Sequence, residues 1–153
     1  MRDASNRDRH LLTDIRLTLA DGRLRPVYRG DHTTRRVGDQ TLDDLATISG
    51  RDNLGQAVLL RLLTPRGELA ALGHPDYGSR LHELVGAPNN ATRRSLVKLH
   101  VLESLASEPR VAEVTRVDVA PAAGVRDQVR VDLAVVPTGA TDTVTIGPFI
   151  LEL

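Results

Sequence analysis

The chain has 153 residues, no cysteine or tryptophan, one phenylalanine and two tyrosines, and its 20 basic side chains balance 20 acidic ones. Without cysteine there is no disulfide scaffold, zinc–thiolate site, iron–sulfur cluster or thiol nucleophile; neutrality argues against a generally basic nucleic-acid binder, and aromatics at 2% leave no rings on which to stack bases or long sugars. The length suits one domain with an aliphatic core of Leu, Val, Ala and Ile.

The first forty residues carry nine Arg against six Asp. Ile15, Leu17 and Leu19 alternate with Asp14, Arg16 and Thr18, a strand period. Asp21-Gly22 and the run Leu24 to Tyr28 complete a short hairpin, with Pro26 marking its second arm as an edge strand. Residues 29–40 read as a polar connection. Thr41 to Ile48 reads as a helix, Thr41 and Asp44 forming a weak capping box. Asp52 or Asn53 caps a second helix, Leu54 to Leu63, which Pro65 and Gly67 stop. A loop, Glu68 to Tyr77, leads to a short helix carrying Leu81, Leu84 and Val85, broken at Gly86-Ala87-Pro88. The longest helix runs from about Ala91 to Ser107, capped by Asn90.

Pro109 ends that helix, and strands follow. Val111 to Val119 is rich in β-branched residues, with its alternation slipping near Val114 as a bulge would make it. Val129, Val131, Leu133 and Val135 alternate cleanly with polar or small neighbours. Val144, Ile146, Phe149 and Leu151 belong to a last strand interrupted at Gly147-Pro148. The prediction is an α+β fold: a helical N-terminal half of the core packed on a C-terminal antiparallel β-meander. Residues 1–40 form a hairpin-bearing extension and residues 41–153 a single domain.

Several short motifs carry less than they promise. Ser95-Leu96-Val97-Lys98 fits the Ser-x-x-Lys pattern of penicillin-recognising enzymes, but Ser-Asp-Asn and Lys-Thr-Gly are missing. Arg29-Gly30-Asp31 is most simply a turn, and Asn90-Ala91-Thr92 is an idle glycosylation triplet without an export signal. His74, Asp76 and His82 lie close in sequence, yet no two histidines share the i, i+4 spacing of a zinc protease, so no metal and no cofactor are expected. Glu68, Asp76, Glu83 and Glu108 supply carboxylates for a glycosidase, which needs two facing across the scissile bond. Tyr77 is the only aromatic near them, which is little to hold a polysaccharide.

Three segments between Asp44 and Val119 resemble a known family. They are Arg61-Leu62-Leu63-Thr64-Pro65-Arg66-Gly67-Glu68-Leu69, then His74-Pro75-Asp76-Tyr77-Gly78 leading into Ser79-Arg80-Leu81, and Glu108-Pro109-Arg110-Val111. In order and spacing they resemble the small baseplate protein of contractile phage tails, whose relatives serve type VI secretion systems and extracellular contractile injection particles. The resemblance implies a non-enzymatic structural part that links baseplate wedges to the sheath and templates the first sheath ring. Its implied partners are wedge proteins, the sheath protein and tube or hub proteins, in several copies around the tail axis, with no nucleic acid and no membrane insertion. Glu108, Pro109 and Arg110 would form the wedge-docking corner. Some relatives are labelled lysozyme-like, so a peptidoglycan-cleaving hydrolase using Glu68 or Glu108 is the alternative.

Physical chemistry supports the corner: proline fixes a sharp exit from the helix, and arginine offers a planar fork suited to carboxylates. The terminal meander leaves a sheet edge able to accept a partner's strand, so Val129, Val131, Leu133, Val135, Val144, Ile146, Phe149 and Leu151 mark the expected sheath-contact strands. No run approaches the ~20 apolar residues of a membrane span, and Met1 to Asn6 do not resemble a signal peptide. Synthesis in the cytoplasm is therefore expected, and the resemblance implies assembly into a tail-like particle.

Overall fold

A computed structural model of the chain describes residues 9–19 and 28–153. After a 3-10 turn at Arg9–Leu11 come six short strands: β1 (Thr13–Ile15), β2 (Leu17–Leu19), β3 (Tyr28–Gly30), β4 (His32–Val37), β5 (Gln40–Leu45) and β6 (Thr47–Ser49). They pair as three separate antiparallel ribbons, β1 with β6, β2 with β3 and β4 with β5. A single residue separates consecutive strands at Arg16, Asp31 and Ala46, and these three residues close a ring of backbone bonds. Arg16 N donates to Ala46 O, Ala46 N to Asp31 O and Asp31 N to Arg16 O, each at 2.8 Å. The ribbons thus radiate from a three-way junction, with all three backbone donors satisfied.

This overturns the helical N-terminal half. No helix spans Thr41 to Ile48; those residues lie in β5, the junction residue Ala46 and β6, and residues 29–40 are largely strand, not a polar connection. The leucines Leu42 and Leu45 have helical spacing, but every residue of β5 is exposed, so no core face rewards a helix. The two-residue turn Gly38-Asp39, with Gly38 at φ +62°, closes the β4–β5 hairpin instead. That pairing runs across the 40/41 boundary drawn from the sequence. Of the first expected hairpin, the Leu19–Tyr28 end of the β2–β3 ladder is described; the Asp21-Gly22 turn and most of the second arm lie outside the described residues. The fold remains α+β in the broad sense, with helices only in its middle.

Helix α1 (Gly50–Leu63) starts four residues before the expected Leu54. Asn53 caps nothing: it is buried, and its Nδ2 donates to Leu11 O at 2.9 Å. One turn on, Gln56 Nε2 donates to Ile15 O at 2.9 Å and its Oε1 accepts from Leu17 N at 2.8 Å. These two amides fasten the ribbon region to α1. Gln56→Ala removes both bonds and is expected to cost about 1–3 kcal/mol. Amide exchange should show protection lost at Leu17 while α2 keeps its own.

Leu54, Val58 and Leu62 of α1 are buried at helical spacing, and the helix stops at Thr64 and Pro65 as expected. A 3-10 turn at Leu81–Leu84 buries Leu81 and Leu84. Helix α2 (Ala91–Leu105) is capped by Asn90, whose side chain accepts from Arg93 N at 2.9 Å. It buries Val97, Val101 and Leu105 along one face.

The sheet is the expected meander, β7 (Val111–Pro121), β8 (Gln128–Pro137) and β9 (Val144–Glu152), in the order β7-β8-β9. Register shifts bracket Val114, matching the slipped alternation. A further shift falls opposite the cis Gly147-Pro148 peptide, which lets Ile146 and Phe149, three residues apart, both face inward. Val129, Val131, Leu133 and Val135 pack with Leu54, Val58, Val97, Val101 and Leu105 in one core between sheet and helices. No described helix is long and apolar enough to cross a membrane.

Candidate functional site

The three segments singled out in the sequence converge on one corner. Arg61, in the last turn of α1, reaches the α2–β7 junction, where its Nε donates to Glu108 Oε2 at 3.1 Å. Arg110 donates from its Nε to Glu108 Oε1 at 2.7 Å and from its backbone N–H to the same oxygen at 3.3 Å. One carboxylate therefore bridges two guanidinium groups. The ring of Tyr77 lies beneath Arg61, with the guanidinium carbon 4.4 Å from its centroid, so the cation also meets a π face.

The loop bearing Tyr77 is held by backbone. Ser79 N donates to Thr64 O and Arg66 N to Ser79 O, both at 2.8 Å, and Ser79 Oγ donates to Leu62 O at 2.6 Å. Gly78 makes this approach possible. At φ +105° it sits where side chains are rarely found, and a Cβ there would lie 2.5 Å from Thr64 O. Ser104 Oγ on α2 donates to Gly78 O at 2.9 Å, tying in the second helix.

The electrostatics separate the members of the corner. The side chains of Arg61 and Glu108 are 7% and 2% exposed, that of Arg110 24%. Burial pushes the Glu108 carboxyl up, but the Arg110 hydrogen bond and the charges of Arg110 and Arg61 outweigh it and hold the group below its ordinary range. Glu108 is thus an internal counter-ion whose oxygens are already engaged. Pro109 is exposed beside it. Arg110 uses only Nε on Glu108, and its two terminal nitrogens make no bond to any described residue. Of the three corner residues, Arg110 and Pro109 face outward and Glu108 faces in.

The sequence did not single out Arg61 as a site residue. The available signal was a lone charge in the predicted segment Leu54 to Leu63, where Gln56 is the only other polar side chain; such an arginine needs an anion once buried.

Other candidates are dispersed. Asp76 pairs with Arg66 at 3.2 Å on the surface. Glu83 is held in a two-pronged pair by Arg80 at 2.9 and 2.8 Å, and that hydrogen bond keeps its carboxyl below its ordinary range. Glu68 is exposed. His82 Nδ1 lies 3.2 Å from Ser79 O, and among the described residues no three His, Asp or Glu side chains converge as a metal site would require.

The strand residues named from the sequence face the core. Val129, Val131, Leu133, Val135, Ile146, Phe149 and Leu151 are buried and Val144 half-buried. β8 is paired on both sides, so its four valine and leucine positions offer a partner neither side chain nor edge. The outer edges of the sheet belong to β7 and β9, and neither pairs with another described strand. Glu113, Arg116 and Asp118 place charges on β7, whereas β9 carries only Glu152.

No family model matches the chain, and no curated protein does. Among solved structures, a protein of Geobacter sulfurreducens provisionally named a tail lysozyme is 25% identical, with a TM-score of 0.55. The match covers 72% of this chain and 98% of that one.

Proposed function

We propose that the chain is a structural, non-enzymatic component of a contractile tail or injection particle, seated where baseplate wedges meet the sheath. The observation that carries this reading is the convergence of the three family-like segments on one corner that presents the outer fork of Arg110. The fold likeness to a protein named for tails supports it. Buried Glu108 fixes Nε of Arg110, and the remaining planar edge suits a carboxylate or a backbone carbonyl on a wedge subunit. The outer edge of β9, with Val144, Ile146, Phe149 and Leu151 facing the core beneath it, would take the sheath strand through main-chain hydrogen bonds. Sheath, wedge and tube or hub proteins are its partners in this reading, with several copies placed around the tail axis.

The neighbour's name also raises a cell-wall hydrolase. A general acid for that chemistry sits in apolar surroundings that raise its pKa. Glu108 is shifted the other way, and Asp76 and Glu83 are paired with arginine on the surface. These features favour the structural role.

Arg110→Ala tests the docking. Glu108 keeps Arg61, so the isolated protein should remain folded at a cost of about 1.5–3 kcal/mol, while particle yield collapses. Arg110→Lys retains a charge for Glu108 but not the fork, and should separate stability from docking by losing assembly alone. Particles at normal yield from both variants would contradict the docking role. Peptidoglycan turnover abolished by Glu68→Gln, an exposed change that leaves the buried cluster intact, would favour the hydrolase instead.

A further inference from the structure

The β4–β5 ribbon has no assigned partner. All twelve of its strand residues are exposed, including the large apolar side chains Val37, Leu42 and Leu45. A lone two-stranded ribbon is marginal in water, and neither of its outer edges pairs with a described strand. The three-way backbone junction at Arg16, Asp31 and Ala46 anchors its base. Its two edges differ in sign: β4 carries Arg35 and Arg36, β5 carries Asp43 and Asp44. None of these four makes an ion pair with a described residue, because the register sets Arg35 opposite Leu42, Arg36 opposite Thr41, Thr34 opposite Asp43 and Thr33 opposite Asp44.

We propose that this ribbon joins copies of the chain head to tail, the β4 edge of one copy adding to the β5 edge of the next as a continuous antiparallel sheet. Sliding the pairing by two residues from the register within one copy sets Arg35 opposite the next copy's Asp44, Arg36 opposite its Asp43 and Val37 opposite its Leu42. One register therefore satisfies both ion pairs and sets Val37 against Leu42. The slide is even, so each side chain keeps its face and the outward backbone groups of the two edges still meet. A two-fold pairing of like edges is disfavoured, since β4 on β4 confronts arginines and β5 on β5 confronts aspartates. The contact is heterologous, and it generates a ring or an open chain according to the rotation between copies. It stands independently of the tail role.

The test is sedimentation velocity of the full chain as a concentration series up to about 1 mM. The wild type should associate, and salt should weaken the association. Arg35→Glu with Arg36→Glu makes both edges acidic; Asp43→Lys with Asp44→Lys makes both basic. Each double variant should associate about tenfold more weakly alone, and an equimolar mixture of the two should recover wild-type association. The quadruple variant, whose edges are again opposite in sign, should recover it within one chain, so a folding defect in either double variant cannot imitate the result. A wild type that stays monomeric over the whole series, double variants that associate as wild type does, or a mixture and quadruple variant that stay monomeric, would each overturn the proposal.

Discussion

Glu108→Ala is expected to destabilise the fold by about 3–5 kcal/mol, because it strands the buried charge of Arg61. The pair itself is not a large source of stability, since desolvating two ions offsets most of their attraction. What costs free energy is removing one partner only. Equilibrium urea unfolding of three variants separates these statements. Glu108→Ala should lose most, Glu108→Gln less because its amide oxygen still accepts one bond, and Arg61→Met with Glu108→Leu should recover much of the loss. If Glu108→Ala unfolds at the wild-type midpoint, the carboxylate is not the counter-ion described above. Acid gives an independent check. The folded-state pKa of Glu108 is depressed, so its contribution is fully present above the ordinary glutamate value of about 4.3 and is lost as pH falls through the lower folded value. The stability gap between wild type and Glu108→Gln should therefore narrow below about pH 4 and stay constant above about pH 6.

Gly78→Ala is the second large effect. The added Cβ would meet backbone, Thr64 O at 2.5 Å and the Pro65 carbonyl at 2.9 Å, and no rotamer change can relieve it. Strained φ and overpacking together suggest a cost of about 3 kcal/mol or more. The strand-like contact between residues 64–66 and 78–79 would open, and with it the seat of Tyr77 under Arg61. Thermal unfolding should show the loss, and amide exchange should locate it at Arg66 and Ser79, whose N–H groups bond across this contact. Gly73→Ala is the control: Gly73 has a similar φ of +85°, but a Cβ there meets nothing within 4 Å, so only the backbone strain remains. Equal losses from the two changes would mean that the close approach at Gly78 carries no special weight.

The C-terminal two-thirds of the fold was legible because local signals there agree with tertiary demand. Asn90 caps the helix it precedes, that helix stops at Leu105, two residues short of the expected Ser107 and ahead of Pro109, and the alternation of Val129 to Val135 survives intact because β8 is buried on one face and paired on both edges. The ribbons at residues 28–49 failed for the opposite reason. Leu42, Leu45 and Ile48 carry a helical spacing, but most of this stretch is exposed, so burial does not decide the structure. The turn does, and Gly38-Asp39 between β-capable runs was the signal that should have outweighed the spacing. The corner at Glu108, Pro109 and Arg110 was half legible. Glu-Pro-Arg marked a fixed bend, but the inward turn of Glu108 depends on Arg61, 47 residues earlier, and no local pattern reports that pairing. The strand residues of the meander were placed correctly as strands, and their alternation already implied the core face they occupy; under the proposed role a sheath strand would add at the edge of β9.

The structural role makes one demand that fold and charge alone cannot meet: the chain must be a built-in part of a particle. Quantitative mass spectrometry of intact, purified sheath-bearing particles from the source organism measures this directly. The predicted result is this chain in every preparation, at a low and fixed copy number relative to the sheath protein. Its absence from such particles would contradict the account.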